Sequence, residues 1–523
     1  MQARSSTFLI ILTALFIVLF DNGSFFRHVI AVYPVNATYI PFLLSQVVVF
    51  SLFLVLFFSL LAWRIFIKPV LIFMLIVAAF ENYFMQTYNV LIDETMIENV
   101  MQTDSHEVFD LMNWKLFIYF LVLGLLPAYF IYKTPLRYGS FSYELVQKIK
   151  VIVGSLILII VVMLPFSKYY TSFFREHKIL RYYTNPTHAL FSLGVYVKAQ
   201  FKDKNIPLKI LGEDAKIKKH KRRKIIIMVV GEAARADHFS LNGYSKETNP
   251  LLKREDVISF SQMFSCGTTT AVSVPCMFSI YNRGDYSTQK GIHTENVLDV
   301  LKHAGVDVLW RDNNSDSKGV ATRVAYQYYK NNHLNTRCKE GECRDIGMLI
   351  GLDSFINQSN KDVLIVLHQM GNHGPAYYKR YPKAYEKFTP ACKTNQLEAC
   401  TREEIENAYD NALLYTDYFL SQTIDFLKKY ESKNDTAMLY MADHGESLGE
   451  GGLYLHGIPY FIAPEHQKHV GSIVWIGKTF AAKREKIEKN ANKDWSQDNL
   501  FSTLLGLFNV ESKVYDKRMD FLR

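Results

Sequence analysis

Charge is scarce at the start of this 523-residue chain: residues 1–200 hold 24 of its 109 Lys, Arg, Asp and Glu side chains, and the remaining 323 residues hold 85. Cysteine is absent from the first 265 residues, and Lys and Arg are absent from the stretch Asp93 to Asp110. The first shortage excludes a single uniformly solvated globule. With 37 Phe and 32 Tyr the chain is too aromatic to be disordered or of low complexity. The formal net charge of +9 divides as +4 and +5 between the two parts, so no concentrated basic footprint exists and a nucleic-acid partner is excluded. A membrane part followed by a soluble part is expected.

Apolar runs fill the charge-poor part: Phe8 to Phe20, Tyr39 to Trp63, Pro69 to Phe84, Trp114 to Tyr132 and Ile149 to Phe166. A helix needs about 20 residues to cross about 30 Å of hydrocarbon, so the shorter runs borrow flanking residues and five spans are expected. The first run has the length of a signal-peptide core, but no small-x-small cleavage site follows Asp21 and four more spans come after it, so it reads as an uncleaved helix. Arg64 and Lys68 lie between spans two and three, and Lys133, Arg137, Lys148 and Lys150 between four and five. The loop between spans three and four carries Asp93, Glu94, Glu98, Asp104, Glu107 and Asp110. Positive loops stay inside, so the amino terminus is cytoplasmic and everything beyond about residue 167 is exported. Glu81, inside the third run, reads as a helix-packing residue. The aromatic and basic stretch 168–215 reads as a connector lying on a surface, and the basic cluster Lys216 to Lys224 fits either lipid head groups or a solvated linker. The expected organisation is a transmembrane domain over 1–167 with an outer loop at about 88–113, a bridging helix and linker over 168–222, and an exported domain over 223–523.

All six cysteines lie in the exported part, as three close pairs: Cys266 with Cys276, Cys338 with Cys343, and Cys392 with Cys400. Six cysteines allow 15 pairings, and the clustering favours these local ones. Disulfides suit an oxidising compartment, in agreement with the loop charges. Thiolate metal binding by Cys338 and Cys343 is the rival.

Short apolar and β-branched runs read as buried strands: Ile225 to Val230, Val306 to Trp310, Val363 to Leu367, Ala437 to Met441 and Ser472 to Ile476. Helical patterns, such as Glu295 to His303 and Glu403 to Phe426, separate them. The alternation predicts an α/β domain with a mostly parallel sheet, whose ligands gather beyond the carboxyl ends of the strands. Polar residues stand there: Glu232 after the first strand, Arg311 to Ser315 after the second, His368 and His373 after the third, and Asp443-His444-Gly445-Glu446 after the fourth. Carboxylates and imidazoles converging on one rim suit a metal, with Zn2+ ahead of Mn2+ because a His stands beside the Asp. The stretch Ser265 to Ser279 places hydroxyls before a helix-like run, where free backbone N–H groups suit a phosphate and a metal would activate a Thr hydroxyl. Position alone does not choose among Thr268, Thr269 and Thr270.

Five stretches, Val229 to Tyr244, Cys266 to Phe278, Trp310 to Gly319, His368 to Pro375 and Ala442 to Glu450, are similar in order and residue content to the motifs of the lipid A phosphoethanolamine transferases, a family that includes the mobile colistin-resistance enzymes. The resemblance covers nearly the whole chain. It implies a five-helix transmembrane domain followed by an alkaline-phosphatase-like, sulfatase-type α/β domain. It also implies a Zn2+ site of Glu232, Thr270, Asp443 and His444, with Thr270 the nucleophile. His373 and His456 match histidines that contact the phosphoethanolamine or a further zinc, or carry a proton. Asn314, Ser315 and Lys318 match substrate-side residues, and the segment Met96 to Glu107 matches one that folds against the catalytic domain, with Asn99, Thr103 and Glu107 as head-group contacts. The implied reaction moves phosphoethanolamine from phosphatidylethanolamine to a phosphate of lipid A or lipooligosaccharide through a covalent threonine adduct, on the periplasmic face of a bacterial inner membrane. Resistance to cationic antimicrobial peptides follows, and a monomer is expected. Thr269 stands where a Ser is common, and the Cys338 to Cys343 loop is shorter than in some members. A related transferase of phosphoethanolamine or glycerolphosphate to another glycan or protein is the alternative. A formylglycine sulfatase fits poorly, because Ser273-Val-Pro-Cys-Met277 lacks the Arg of that signature.

Overall fold

The structure, a computed structural model, describes residues 3–103, 105–202, 206–331, 333–339 and 341–523, with backbone alone for 105–107, 202 and 481–483. The chain divides into two compact units. One comprises residues 1–97 and 112–196, the other residues 98–111 and 197–523.

In the first unit four helices are long and apolar enough to cross a membrane: Ile40–Leu61, Arg64–Thr87, Trp114–Lys133 and Phe141–Arg175. The run from Phe8 is helical, but it reaches spanning length only together with a second helix across a bend. Helix Ser6–Phe20 breaks and continues as Gly23–Val32 at a bend of 58°, so the described residues hold four such helices, or five if the bent pair counts as one. The break has a chemical cause. Asn22 and Asn185 are buried and hydrogen-bond reciprocally, Asn22 Nδ2 to the Asn185 carbonyl and the Asn185 N–H to Asn22 Oδ1, both at 2.9 Å. Asn185 Nδ2 also donates to the carbonyls of Asp21 and Ala78 at 2.9 and 2.8 Å. The Asp21 carbonyl at the break thus gains a donor, and the second bond ties the break to the helix that carries Ala78. Glu81 is buried within this unit, as a packing role requires.

The second unit is built on a seven-stranded sheet. In chain order its strands are β1 (Lys224–Gly231), β2 (Ile258–Ser259), β3 (Asp307–Asp312), β4 (Ala325–Tyr328), β5 (Val363–His368), β6 (Asp435–Ala442) and β7 (Ser472–Ile476), arranged β2-β7-β6-β1-β5-β3-β4. From β6 to β4 all neighbours pair parallel, which brings five carboxyl ends to one rim. The sheet is mostly parallel, as expected, with β7 pairing antiparallel with both β6 and β2. Every residue of β1 is buried, which explains its unbroken apolar run. The helix expected from Glu295 begins at Val297, where Asn296 and Asp299 form a capping box, and the long helix Arg402–Lys428 begins with a capping box of Thr401 and Glu404.

The three expected cysteine pairs are disulfide-bonded: Cys266 to Cys276, Cys338 to Cys343, and Cys392 to Cys400. These bonds leave no thiolate for the rival metal reading of Cys338 and Cys343. Cys400 and Cys392 serve the fold and stand apart from the strand-end chemistry. Cys400 lies just before the Thr401 cap, and the Cys392 N–H donates to the Glu404 carbonyl at 2.9 Å, so this bond fastens the preceding loop to the start of helix Arg402–Lys428.

Replacing Asn185 by Ala removes two side-chain hydrogen bonds to buried carbonyls at the bend. The expected cost is roughly 1–3 kcal/mol per stranded group, and the check is thermal unfolding of the variant in detergent, seen as a lowered midpoint.

Candidate metal and nucleophile site

Register places the acids. Gly231 and Ala442 are partners at the ends of the parallel strands β1 and β6, so the next residues, Glu232 and Asp443, emerge side by side with no solvent exposure. Asp443 Oδ1 accepts from the N–H groups of Ala233 (3.0 Å) and His444 (2.7 Å), which fixes the carboxylate, while its Oδ2 is buried without a hydrogen bond. His444 Nδ1 lies 2.8 Å from the Gly445 carbonyl and is therefore the protonated nitrogen, leaving the Nε2 lone pair pointing at the acids: 3.3 Å from Asp443 Oδ2 and 3.4 Å from Glu232 Oε1. Gly445 is required here, since a Cβ would stand 2.0 Å from the His466 carbonyl oxygen.

Thr270 opens the helix Thr270–Met277 with Thr269 as its N-cap. Its hydroxyl donates to Glu232 Oε2 at 3.2 Å and lies 3.3 Å from His444 Nε2. The other two threonines differ: Thr268 donates to the Ile458 carbonyl at 2.8 Å, and Thr269, the N-cap, is fully buried with its hydroxyl making no hydrogen bond. The Cys266–Cys276 disulfide ties the loop before Thr270 to its own helix. Gln497, which carries no motif signal, joins the parts: its amide donates to the carbonyls of Ala442 and Asp443 at 2.7 Å, and its oxygen accepts from the Cys266 N–H (2.6 Å) and the Ser273 hydroxyl (2.8 Å).

Ligand atoms of Glu232, Asp443 and His444 lie within 4.8 Å of one another. Two buried carboxylates, one without a hydrogen bond on Oδ2, together with a neutral imidazole and a hydroxyl, make a donor set that fits a divalent cation such as zinc. Burial lowers the pKa of His444, which keeps the ring neutral as a ligand must be. Among the described residues the one other grouping of this kind, Cys266, Cys276 and Asp498, has its two sulfurs bonded to each other.

His456 packs against His444 with ring centroids 4.1 Å apart, and His373 stands 6.2 Å from His456. His456 Nδ1 is 3.2 Å from Glu446, whose carboxyl burial pushes up to about 8. Burial, reinforced by the nearby Arg380, holds His373 well below the usual imidazole range. His368 faces elsewhere: it is buried and paired with Asp312 at 2.9 Å, so it belongs to the sheet rather than to this group. Asn314 is also buried, its amide shared between Glu232 Oε2 and the Gln369 carbonyl at 2.9 Å, where it braces a ligand carboxylate.

Ser315 and Lys318 line a cavity of about 350 Å³ beside Ala271, together with Glu98 and Gln102. Thr288 donates to Glu98 at 3.1 Å, and Lys318 Nζ reaches the Gln102 carbonyl at 3.1 Å. The Thr103 hydroxyl instead caps the Asn99 carbonyl at 2.7 Å, so neither residue lines the cavity; Glu98 and Gln102, four apart on another face of the helix, do. The Glu107 side chain lies outside the described residues. Farther along, Asp110 is clasped by Lys379 (2.6 Å) and Arg380, and Arg380 Nε donates to the His373 carbonyl at 2.8 Å.

Residues 224–510 match the Sulfatase family and residues 50–201 match the family described as Phosphoethanolamine transferase EptA/EptB. Phosphatidylethanolamine transferase Mcr-2 of Escherichia coli is 44% identical over 98% of this chain and 96% of its own. The chain belongs to the phosphoethanolamine transferases. The solved structure of the integral membrane protein lipooligosaccharide phosphoethanolamine transferase A from Neisseria meningitidis superposes with a TM-score of 0.96 at 34% identity, covering 99% of both chains. The periplasmic domain of phosphoethanolamine transferase EptC from Campylobacter jejuni is 44% identical over 60% of this chain and 97% of its own, with a TM-score of 0.55. This protein is therefore an integral membrane transferase with apolar amino-terminal helices and a soluble carboxyl-terminal domain.

Two outcomes are expected. Asp443→Asn removes the charge of a buried carboxylate of the candidate metal group, and elemental analysis of the purified variant should find at least about tenfold less zinc than in wild type. Asp110→Asn removes the carboxylate on Lys379 and one of the two on Arg380, Glu342 remaining, and should cost about 1–2 kcal/mol, read from denaturant unfolding. Burial raises the Asp110 carboxyl, but Arg380 and Lys379 outweigh it and hold it below the ordinary 3.8. The stabilisation is therefore present above pH 3.8 and lost only as pH falls through the lowered value, so the difference between variant and wild type should be flat from pH 5 to 8.

Proposed function

We propose that the protein transfers phosphoethanolamine from phosphatidylethanolamine to a phosphate of lipid A, with Thr270 as nucleophile and zinc as cofactor, on the periplasmic side of the inner membrane and as a monomer. The observation that carries this is the Thr270 hydroxyl, at a helix start and within 3.3 Å of both Glu232 and His444.

Zinc held by Glu232, Asp443, His444 and Thr270 would lower the pKa of the Thr270 hydroxyl and neutralise charge on the phosphoryl oxygens. Free N–H groups at the start of helix Thr270–Met277 add donors for those oxygens. The Thr270 hydroxyl gives up its proton as Oγ1 bonds to phosphorus and the bond to the diacylglycerol oxygen breaks, and the departing oxygen takes up a proton; His373 or His456, the latter beside Glu446, carries it. A phosphoethanolamine ester of Thr270 remains. A lipid A phosphate oxygen then bonds to the same phosphorus and Thr270 leaves. Ser315, Lys318 and Glu98, around the cavity next to Ala271, offer an ammonium and hydroxyl to the donor phosphate and a carboxylate to its ethanolamine amine. By family resemblance Asn99, Thr103 and Glu107 of the same loop are head-group contacts. The added amine offsets lipid A's negative charge and weakens its attraction for cationic peptides such as polymyxin. The five-helix arrangement, with the bent pair as one span, keeps both lipid substrates at hand, and the acidic outer loop together with the three disulfides favours the exported side.

Fluorescent phosphatidylethanolamine and purified full-length protein test the reaction. Wild type should release diacylglycerol and carry a phosphoethanolamine mass increment, whereas Thr270→Ala should lose the increment and slow release by roughly 10³-fold or more. Equal release by the variant removes Thr270 from the role.

A further inference from the structure

The second unit has another cavity, larger than the one beside Ala271, of about 980 Å³. Its floor is aromatic. Tyr385 stands 5.0 Å from Tyr415 and 5.2 Å from Tyr418, the last two stack at 5.9 Å, and Tyr378 and Tyr381 extend the cluster. Tyr381 and Tyr415 are buried in the fold, whereas Tyr378, Tyr385 and Tyr418 are half-buried and leave ring faces and hydroxyl edges toward the cavity. Its rim is basic, with six Lys and Arg against Glu342 and Glu386.

Not all of these cations are neutralised by the fold. Lys393 pairs with Glu386 at 2.9 Å, Lys379 with Asp110 at 2.6 Å, and Arg344 donates to the Lys379 carbonyl at 2.6 Å. Glu342 is spent on Arg380 at 2.8 Å. Among the described residues Arg337 and Lys383 have no ion-pair partner, and both are exposed. A cavity at the upper end of small-ligand sizes, floored by rings and edged by uncompensated cations, suits a ligand with flat, weakly polar C–H faces and bound anionic groups. A phosphorylated sugar has that chemistry. A lipid chain does not, because the floor is hydroxylated and the rim charged.

The cavity is also joined to the reaction centre by covalent chain. The segment from His373 to Tyr381 has one end beside His456 and the other in the cavity wall, and Arg380 ties its two ends together through the His373 carbonyl. We infer that this cavity, lined by Tyr378, Tyr385, Tyr418, Arg337 and Lys383, binds the phosphorylated sugar of the acceptor at a distance from the phosphorus being transferred. The inference deepens the proposed transferase reading and rests on it for the identity of the acceptor.

The test uses full-length protein in phosphatidylethanolamine nanodiscs and the double variant combining Arg337→Glu with Lys383→Glu, whose sites are exposed. Direct binding is measured by saturation-transfer NMR with three probes: the deacylated bisphosphorylated glucosamine disaccharide of lipid A, a heptose phosphate, and inorganic phosphate. Wild type should bind a phosphorylated sugar at least tenfold more tightly than inorganic phosphate, and preference for the disaccharide or the heptose phosphate tells which part of the acceptor is held. In the double variant that affinity should fall at least tenfold, and the KM for lipid A should rise at least tenfold with kcat within about threefold. Wild-type affinity in the variant, or equal affinity of wild type for phosphate and phosphorylated sugar, overturns the inference. Wild type that binds the disaccharide but releases no diacylglycerol supports the cavity and instead removes the transfer reaction proposed above.

Discussion

Two carboxylates that cannot both be buried as bare anions govern the soluble domain. The parallel pairing of Gly231 with Ala442 puts Glu232 and Asp443 next to each other, out of contact with water. Mutual repulsion and lost hydration make that arrangement unfavourable unless a cation completes it. The surroundings read as consequences. Backbone N–H groups hold one oxygen of Asp443 and Asn314 holds one of Glu232, so the remaining oxygens converge, and His444 turns its lone pair to the same point. Gln497 and the Cys266–Cys276 bond fix the helix that opens at Thr270 to this frame.

How much of this is written in the sequence depends on the range of the interactions. The buried strands show as β-branched runs because a strand covered on both faces has no polar alternation to hide it. The two-residue strand Ile258–Ser259 and the half-exposed Ala325–Tyr328 carry too little pattern to be seen, and the antiparallel course of Ser472–Ile476 is set by chain routing, which residue types do not encode. The polar pair Asp21-Asn22 is visible at the end of an apolar run, but its partner Asn185 lies more than 160 residues away, so the 58° bend is not. The cysteine pairs are the opposite case: Cys392 and Cys400 are eight residues apart, and so short a separation makes the pairing readable without the fold.

The site divides in the same way. Glu232, Asp443 and His444 stand at strand ends and are legible from topology, whereas three consecutive threonines are equivalent on paper and distinguished only by what each hydroxyl meets. His456 shows no pattern of its own and comes from family resemblance. Gln497 and Arg380 left no trace, and Asp110 showed only as one acid of the outer loop, because their importance lies in joining segments far apart in the chain. Composition also misplaces a boundary: the acidic stretch 98–111 sits in the charge-poor half, yet by its contacts it groups with the catalytic half.

One of the covalent crosslinks gives the protein a built-in order of maturation. Cys266 and Cys276 flank Thr270, so the loop that presents the hydroxyl is closed by a bond that reducing cytoplasm does not sustain. A chain still facing the ribosome's side of the membrane therefore carries its threonine on an unfastened loop. The fastened loop therefore depends on the oxidising side of the membrane, to which the soluble domain is delivered.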